Sequence, residues 1–264
     1  MMRVAIIGNS HVGAYLLARG AIEVAFPSVS LSFFALPRHS FSSCIYDERG
    51  VLHACEAGHP KLPRQIDLSA QEAILMVGQS FALEGLARMM SEFDLLGGHS
   101  TGKTRSVSAP LVSAFLDHRV ARYCHKLAEF LRNDARCVVA PAPYPAANAP
   151  GLDTGAAHCS QHPEAPRLLR LWQDTVSRHM TGLHYGLMVQ PDELTDGPGF
   201  SPARYSRAAN LPAGQAPTAA DYTHMNAEYG FAHFDAFARH WLGILPAGHP
   251  HSPRKEHDHG LGPQ

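Results

Sequence analysis

The sequence predicts a three-layer α/β/α sandwich around a mostly parallel five-stranded sheet. Two observations carry that expectation. Five short runs are apolar without alternation, and successive runs are separated by stretches long enough to hold a helix. Strands that are apolar on both faces belong in a sheet covered on both sides, and strand–helix–strand repetition makes such strands parallel. A third observation places the function: polar or glycine-bearing segments follow several of these runs, at strand ends that share one rim of the sheet. Ligands of such sheets bind beyond the C-terminal ends of the strands.

The strands are expected at Val4 to Gly8, Leu31 to Leu36, Ala73 to Gly78, Cys137 to Pro141 and Tyr185 to Val189. Helical periodicity occupies Ala14 to Val24, Ala82 to Phe93, Ala109 to Leu131 and Arg167 to Thr181. The third helix has a start signal in Ser108 and Pro110, since proline in the first turn forfeits no helical hydrogen bond. A last helix, Asn226 to Leu242, aligns Tyr229, Phe231, Phe234, Phe237 and Trp241 in an apolar stripe that reads as core packing. Cys44 to Asp47 and Val51 to Ala54, joined by Glu48–Arg49–Gly50, read as a hairpin inserted after the second strand. Asp192 to Thr218, rich in Pro, Gly and Ser, is expected to be an irregular connection, and together with the hairpin to line a substrate pocket. Residues 1–245 are expected to form one domain, followed by a His-rich, disordered tail over 246–264.

Composition narrows the partners. The net charge is −1 and no dense Lys/Arg patch stands outside the last residues, which argues against nucleic acid. No apolar stretch approaches the roughly 20 residues needed to span a bilayer, and the N-terminal run is too short for a signal-peptide core. A cytoplasmic location is the expectation. Five cysteines without C-x-x-C spacing suit reduced thiols. The 18 histidines include His249, His251, His257 and His259 in the tail but form no H-E-x-x-H, so neither a metal nor another cofactor is expected. Oligomeric state is left open.

Gly8–Asn9–Ser10–His11–Val12–Gly13 sits between a strand and a helix, where a dinucleotide fingerprint would lie. Ser10 occupies the place of the middle glycine that lets a pyrophosphate approach the backbone, which weighs against that reading. Gly97 to Thr104 fits G-x-x-x-x-G-K-S/T at every specified position. A phosphate loop needs a buried strand before it and a helix starting at the Lys–Thr pair. Here an amphipathic helix end precedes it, and Pro110 delays the next helix, so a flexible Gly/Ser loop is the preferred reading.

A strand-terminal Ser10 near one end of the chain and Asp221–Tyr222–Thr223–His224 near the other supply the parts of a serine nucleophile site. A hydroxyl needs a base to attack at neutral pH, and a carboxylate can hold the imidazole in the required tautomer. These two blocks resemble the SGNH hydrolase family, the GDSL-type esterases and lipases. Its first block, G-D-S, matches Gly8–Asn9–Ser10 with Asn9 in place of the aspartate, and its D-x-x-H block matches Asp221 to His224, followed by Asn226 and Tyr229–Gly230. The family's G-x-N-D block stands here as Gly78–Gln79–Ser80 preceded by Val77, and no glycine occurs between Gly20 and Gly50.

The resemblance spans residue 3 to about 243 and implies a flavodoxin-like fold and a cofactor-free ester hydrolase. It implies Ser10 as nucleophile, His224 as base and Asp221 as its orienting acid. Ser10, Gly78 and Gln79 are implied as the oxyanion hole. Asn9, His11 and Asn148 are placed on the substrate rim, with the His11 side chain projecting away from Ser10. The substrate would be an acyl ester, an O-acylated carbohydrate or another small metabolite. Acyl transfer through the same triad and ligand binding without catalysis are the alternatives.

Overall fold

The computed structural model describes residues 1–36, 44–55, 62–147, 161–212 and 214–247. Asn148 and positions 248–264 of the expected tail therefore lie outside the described residues.

β1 (Met2–Gly8) opens the chain, with Val4, Ala5, Ile6 and Ile7 fully buried. A turn at Asn9 to His11 leads into α1 (Val12–Ala25), and β2 (Val29–Ala35) returns parallel to β1. Next come β3 (Cys44–Tyr46), β4 (Val51–Ala54) and β5 (Gln65–Asp67), which pair antiparallel in a small sheet of their own. The expected hairpin is thus present, extended by a third strand that the sequence reading missed. β5 is only three residues long and has one buried position, Ile66, too little for periodicity to register.

β6 (Ala73–Gln79) is buried along its whole length and leads to α2 (Leu83–Glu92). β7 (Asp94–Leu95) and β8 (Ser106–Val107) pair in parallel across the glycine-rich loop. α3 (Ala109–Leu131) starts where Ser108 and Pro110 predicted, and the Ser108 hydroxyl accepts from the Leu111 amide. β9 (Cys137–Pro141), α4 (Ala165–Gly182) and β10 (Gly186–Leu187) complete the layers, β10 being shorter than expected. Three 3₁₀ turns occupy the irregular connection at Asp192–Leu194, Ala203–Tyr205 and Arg207–Asn210. α5 (Ala219–Thr223) and α6 (Ala227–Phe237) end the fold, and α6 runs on into a π-helical turn, Ala238–Leu242.

That turn corrects one expectation. Trp241 would continue the Phe234–Phe237 stripe at α-helical pitch, but the wider π turn rotates it off the core face, and it is 44% exposed. Its ring closes over Gly186, where any side chain would collide with it.

The five central strands lie in the order β10-β9-β6-β1-β2, with all four pairings parallel. Numbered by their own succession they read 2-1-3-4-5, the flavodoxin-like order, whose crevice opens between the first and third strands. Alternation along each strand divides the core. Ala5, Ile7, Ile74, Met76 and Val139 pack toward α2, α3 and α4. Val4, Ile6, Leu75, Val77 and Val138 pack toward α1 and α6. Among the described residues no helix is long and apolar enough to cross a membrane.

Candidate functional site

The C-terminal ends of β1 and β6 meet at the crevice where strand order reverses, and glycine is required on both. Gly8 has φ +157° and a Cβ there would collide with the Val77 carbonyl. Gly78 has φ +89°, lies at a register shift between β6 and β9, and a Cβ there would collide with the Asn9 side chain. Asn9 fills the space that Gly78 leaves. Its Nδ2 donates to the Gly78 carbonyl at 2.6 Å and its Oδ1 accepts from the His11 amide at 3.1 Å. This corrects its place on the substrate rim: the amide is turned into the fold, where it fixes the turn that carries Ser10.

Ser10 stands exposed on that turn, and its Oγ lies 2.8 Å from His224 Nε2. Two residues 214 positions apart are thereby brought within proton-transfer distance. His224 follows directly on α5, in a segment pinned at several points. The His224 carbonyl accepts from the Arg207 amide, and Met225 forms an antiparallel bridge with Ser206. Asn226 caps α6 by accepting from the Tyr229 amide at 3.2 Å, while its Nδ2 donates to the Arg204 and Ser206 carbonyls. The cap residue therefore locks the 3₁₀ turns beneath the histidine.

Asp221 is buried, and its Oδ2 accepts from both the hydroxyl and the amide of Thr218, at 2.6 and 2.9 Å. Its Oδ1 lies 3.9 Å from Arg207 Nε. The Thr218 hydrogen bonds, with Arg207 and His224 adding attraction, hold its carboxyl below the ordinary range against the opposing effect of burial. Asp221 is accordingly an anion throughout the range in which an imidazole titrates.

Contrary to the sequence expectation, the His11 side chain does not project away. Its ring centroid is 5.4 Å from that of His224, tilted by 55°. The signal that could have placed it is the first turn itself, which leaves residue 11 at the mouth of the crevice once α1 begins at Val12. His11 lines a cavity of about 350 Å³ together with Ser80, Tyr144, Trp172 and Thr223. Among the described residues, neither the inserted strands nor positions 192–218 line this cavity, although both were expected to. Gln79 is buried at the end of β6, its carbonyl accepting from the Ala142 amide.

Residues that sequence reasoning did not single out hold the cavity wall. Gln190 Oε1 accepts from the Tyr144 amide and the Tyr229 hydroxyl, while its Nε2 donates to the Leu194 carbonyl and Ser201 Oγ. Ser201 Oγ in turn donates to the Tyr144 carbonyl at 2.7 Å. On the other side Ser80 and Leu83 line the cavity and flank Phe81 and Ala82, both at positive φ, and the Phe81 carbonyl accepts from Trp172 Nε1 at 2.9 Å. Two consecutive left-handed non-glycine residues beside a cavity store backbone strain that the packed surroundings must hold.

The loop Gly97 to Thr104 is closed on itself. The Asp94 carboxylate accepts from the Thr101 amide and hydroxyl and from the Ser100 hydroxyl, filling the centre where a phosphate would sit. Lys103 Nζ donates to the Met90 carbonyl, and no helix starts before Ala109. The segment before the loop is the two-residue strand β7 and not, as the sequence suggested, a continuation of the helix. Among the described residues no group of three or more His, Cys, Asp or Glu side chains is placed to hold a metal ion. A larger cavity of about 680 Å³ at the starts of α3 and α4 shares no lining residue with the one that His11 lines.

Fold and geometry together define a parallel α/β/α protein with a serine–histidine pair at its topological switch point. No protein-family model matches the sequence, and no curated protein matches it. Solved structures that resemble the fold distantly include the following two. An extracellular lipase from Streptomyces rimosus aligns at TM-score 0.40 and 9% identity, over 89% of this chain and 99% of its own. A DUF4886 family protein from Bacteroides uniformis ATCC 8492 aligns at TM-score 0.41 and 11% identity, over 96% of this chain and 88% of its own.

Proposed function

We propose that this protein is a serine ester hydrolase. The observation that carries the reading is the 2.8 Å contact between Ser10 Oγ and His224 Nε2 at the crevice of the sheet. His224 takes the Ser10 proton as the oxygen attacks the ester carbonyl, and the tetrahedral oxyanion is held by the Ser10 and Gly78 amides and the Gln79 side chain. The alcohol leaves with the proton returned by His224. Water, deprotonated by the same imidazole, then attacks the acyl-enzyme and frees Ser10. Asp221, fixed as an anion by Thr218, orients His224 and stabilises its charged form.

Turnover of p-nitrophenyl butyrate by wild type and Ser10→Ala tests the reading. The expected loss is about 10³-fold or more, with fluorophosphonate labelling of wild type abolished in the variant. Ester hydrolysis that survives the substitution would rule out the serine mechanism. Absence of both turnover and labelling in wild type would instead favour a ligand-binding protein on this fold.

A further inference from the structure

The cavity lined by His11 and Thr223, the chain neighbours of Ser10 and His224, shares part of its lining with a second hollow. Ser80, Glu84 and Arg88 line it and also line a groove of about 420 Å³ between α2 and α3. Arg119 and Tyr123 line that groove and also a recess of about 150 Å³ completed by Arg122 and Lys126. The three hollows thus adjoin one another through shared lining residues, from His11 and Thr223, the chain neighbours of Ser10 and His224, out to α3.

Charge changes along them. The middle stretch is mixed, lined by Glu84 and Glu92 as well as Arg88 and Arg119, whereas the outer recess is lined by three cations and Tyr123 with no carboxylate. Positions 119, 122, 123 and 126 fall on one helical face. Among the described residues, none of Arg88, Arg119, Arg122 and Lys126 forms an ion pair, whereas Arg178 and His179 on α4 share Asp117. With no ion pair among the described residues, these cations are open to a ligand from outside. From Arg119 to Lys126 the row spans seven residues, about 10 Å at 1.5 Å per residue. That is longer than a single carboxylate or phosphate can cover, so the row suits anionic groups that repeat along a chain.

We propose that the ester substrate is an extended, polyhydroxylated molecule bearing repeated anionic groups, its scissile ester at Ser10 and its charged part along Arg119, Arg122 and Lys126. This rests on the serine ester hydrolase reading. The carboxylates of the middle stretch accept hydroxyl hydrogen bonds, and guanidinium forks pair with carboxylate or phosphate oxygens. Both anions share the chemistry the recess recognises.

Three chemically O-acetylated oligomers of matched length separate the sources: an oligogalacturonate, a glycerol-phosphate oligomer and a neutral xylo-oligosaccharide, with acetate release as the readout. At least one anionic oligomer is expected to exceed the neutral one about tenfold in kcat/KM, with the better one identifying the anion. The advantage is expected to fall to within twofold in an Arg119→Ser/Arg122→Ser/Lys126→Ser variant whose p-nitrophenyl acetate turnover and melting temperature match wild type. Equal or better turnover of the neutral oligomer, or an advantage that persists in the triple variant, would overturn the proposal while leaving Ser10 catalysis intact. Calorimetric binding of the de-acetylated anionic oligomers to Ser10→Ala, with and without the three substitutions, reads the recess independently of chemistry. Binding lost with the cations supports the recess even if the hydrolase reading fails; no binding by the cation-intact Ser10→Ala protein counts against it.

Discussion

At the scale of single residues, Asn9 shows how the turn carrying the proposed nucleophile is braced by its neighbour. One amide group uses both ends, donating to the Gly78 carbonyl and accepting from the His11 amide. Asn9→Asp keeps the acceptor but places a second oxygen against a carbonyl at 2.6 Å. The expected cost is about 1–3 kcal/mol of stability, and a displaced Ser10 should lower kcat on a p-nitrophenyl ester by up to about 10²-fold. Thermal melts and steady-state kinetics on the variant check both, and unaltered kcat would show that the turn is held by other contacts. Ser10, Asp221 and His224 could be nominated from sequence because the proposed chemistry dictates their residue types and strand and helix ends dictate where they lie. The bracing of Asn9 could not, because its partner is set by how β6 sits beside β1. The same reason hid Gln190, whose four partners come from three separate segments.

At the scale of elements, α1 and α6 approach each other closely where Gly230 meets the backbone of α1. A Cβ at Gly230 would collide with the carbonyl of Ala14 and crowd the amide of Tyr15. Backbone on one helix facing backbone on the other leaves no flexible side chain to yield, so the helices must separate. Gly230→Ala is expected to destabilise by roughly 3 kcal/mol, lowering the melting temperature by about 6–12 °C in a chain of this size. A shift under about 1 °C in a thermal melt would mean that the helices adjust freely. Because α6 follows His224 by way of the Asn226 cap, the loosened pair should also weaken activity. Long elements such as α3 were readable because their periodicity and Ser108–Pro110 start agree with their burial. The π turn after α6 was not, since its sequence continues the α-helical stripe and the departure arises only where Trp241 finds Gly186.

For the molecule as a whole, the α1–α6 layer makes stability depend on pH through a buried group with no part in the proposed chemistry. His233 is fully enclosed, its Nδ1 2.9 Å from the Tyr15 hydroxyl and its ring stacked on Tyr229. Burial pushes its imidazole down to about 4, while in the unfolded chain it titrates near its ordinary 6.5. Between these values the unfolded state binds more protons, so stability is complete above about 6.5, falls as pH drops toward 4, and levels off below. The span corresponds to about 3 kcal/mol. His162, lowered by burial and by Lys103, adds slope in the same direction. The carboxyls of Asp221 and Asp94, held low by hydrogen bonds, act later: their stabilisation is lost only as pH falls below the ordinary carboxylate range. Denaturant unfolding of wild type and His233→Gln at intervals from pH 7.5 to 3 separates the two regimes. The variant is expected to lose about 3 kcal/mol of the decline between pH 6.5 and 4 whatever its absolute stability, while keeping the steeper loss below. An unchanged slope between pH 6.5 and 4 would mean that the packing around Tyr15 and Tyr229 opens to hydrate His233 before the molecule unfolds.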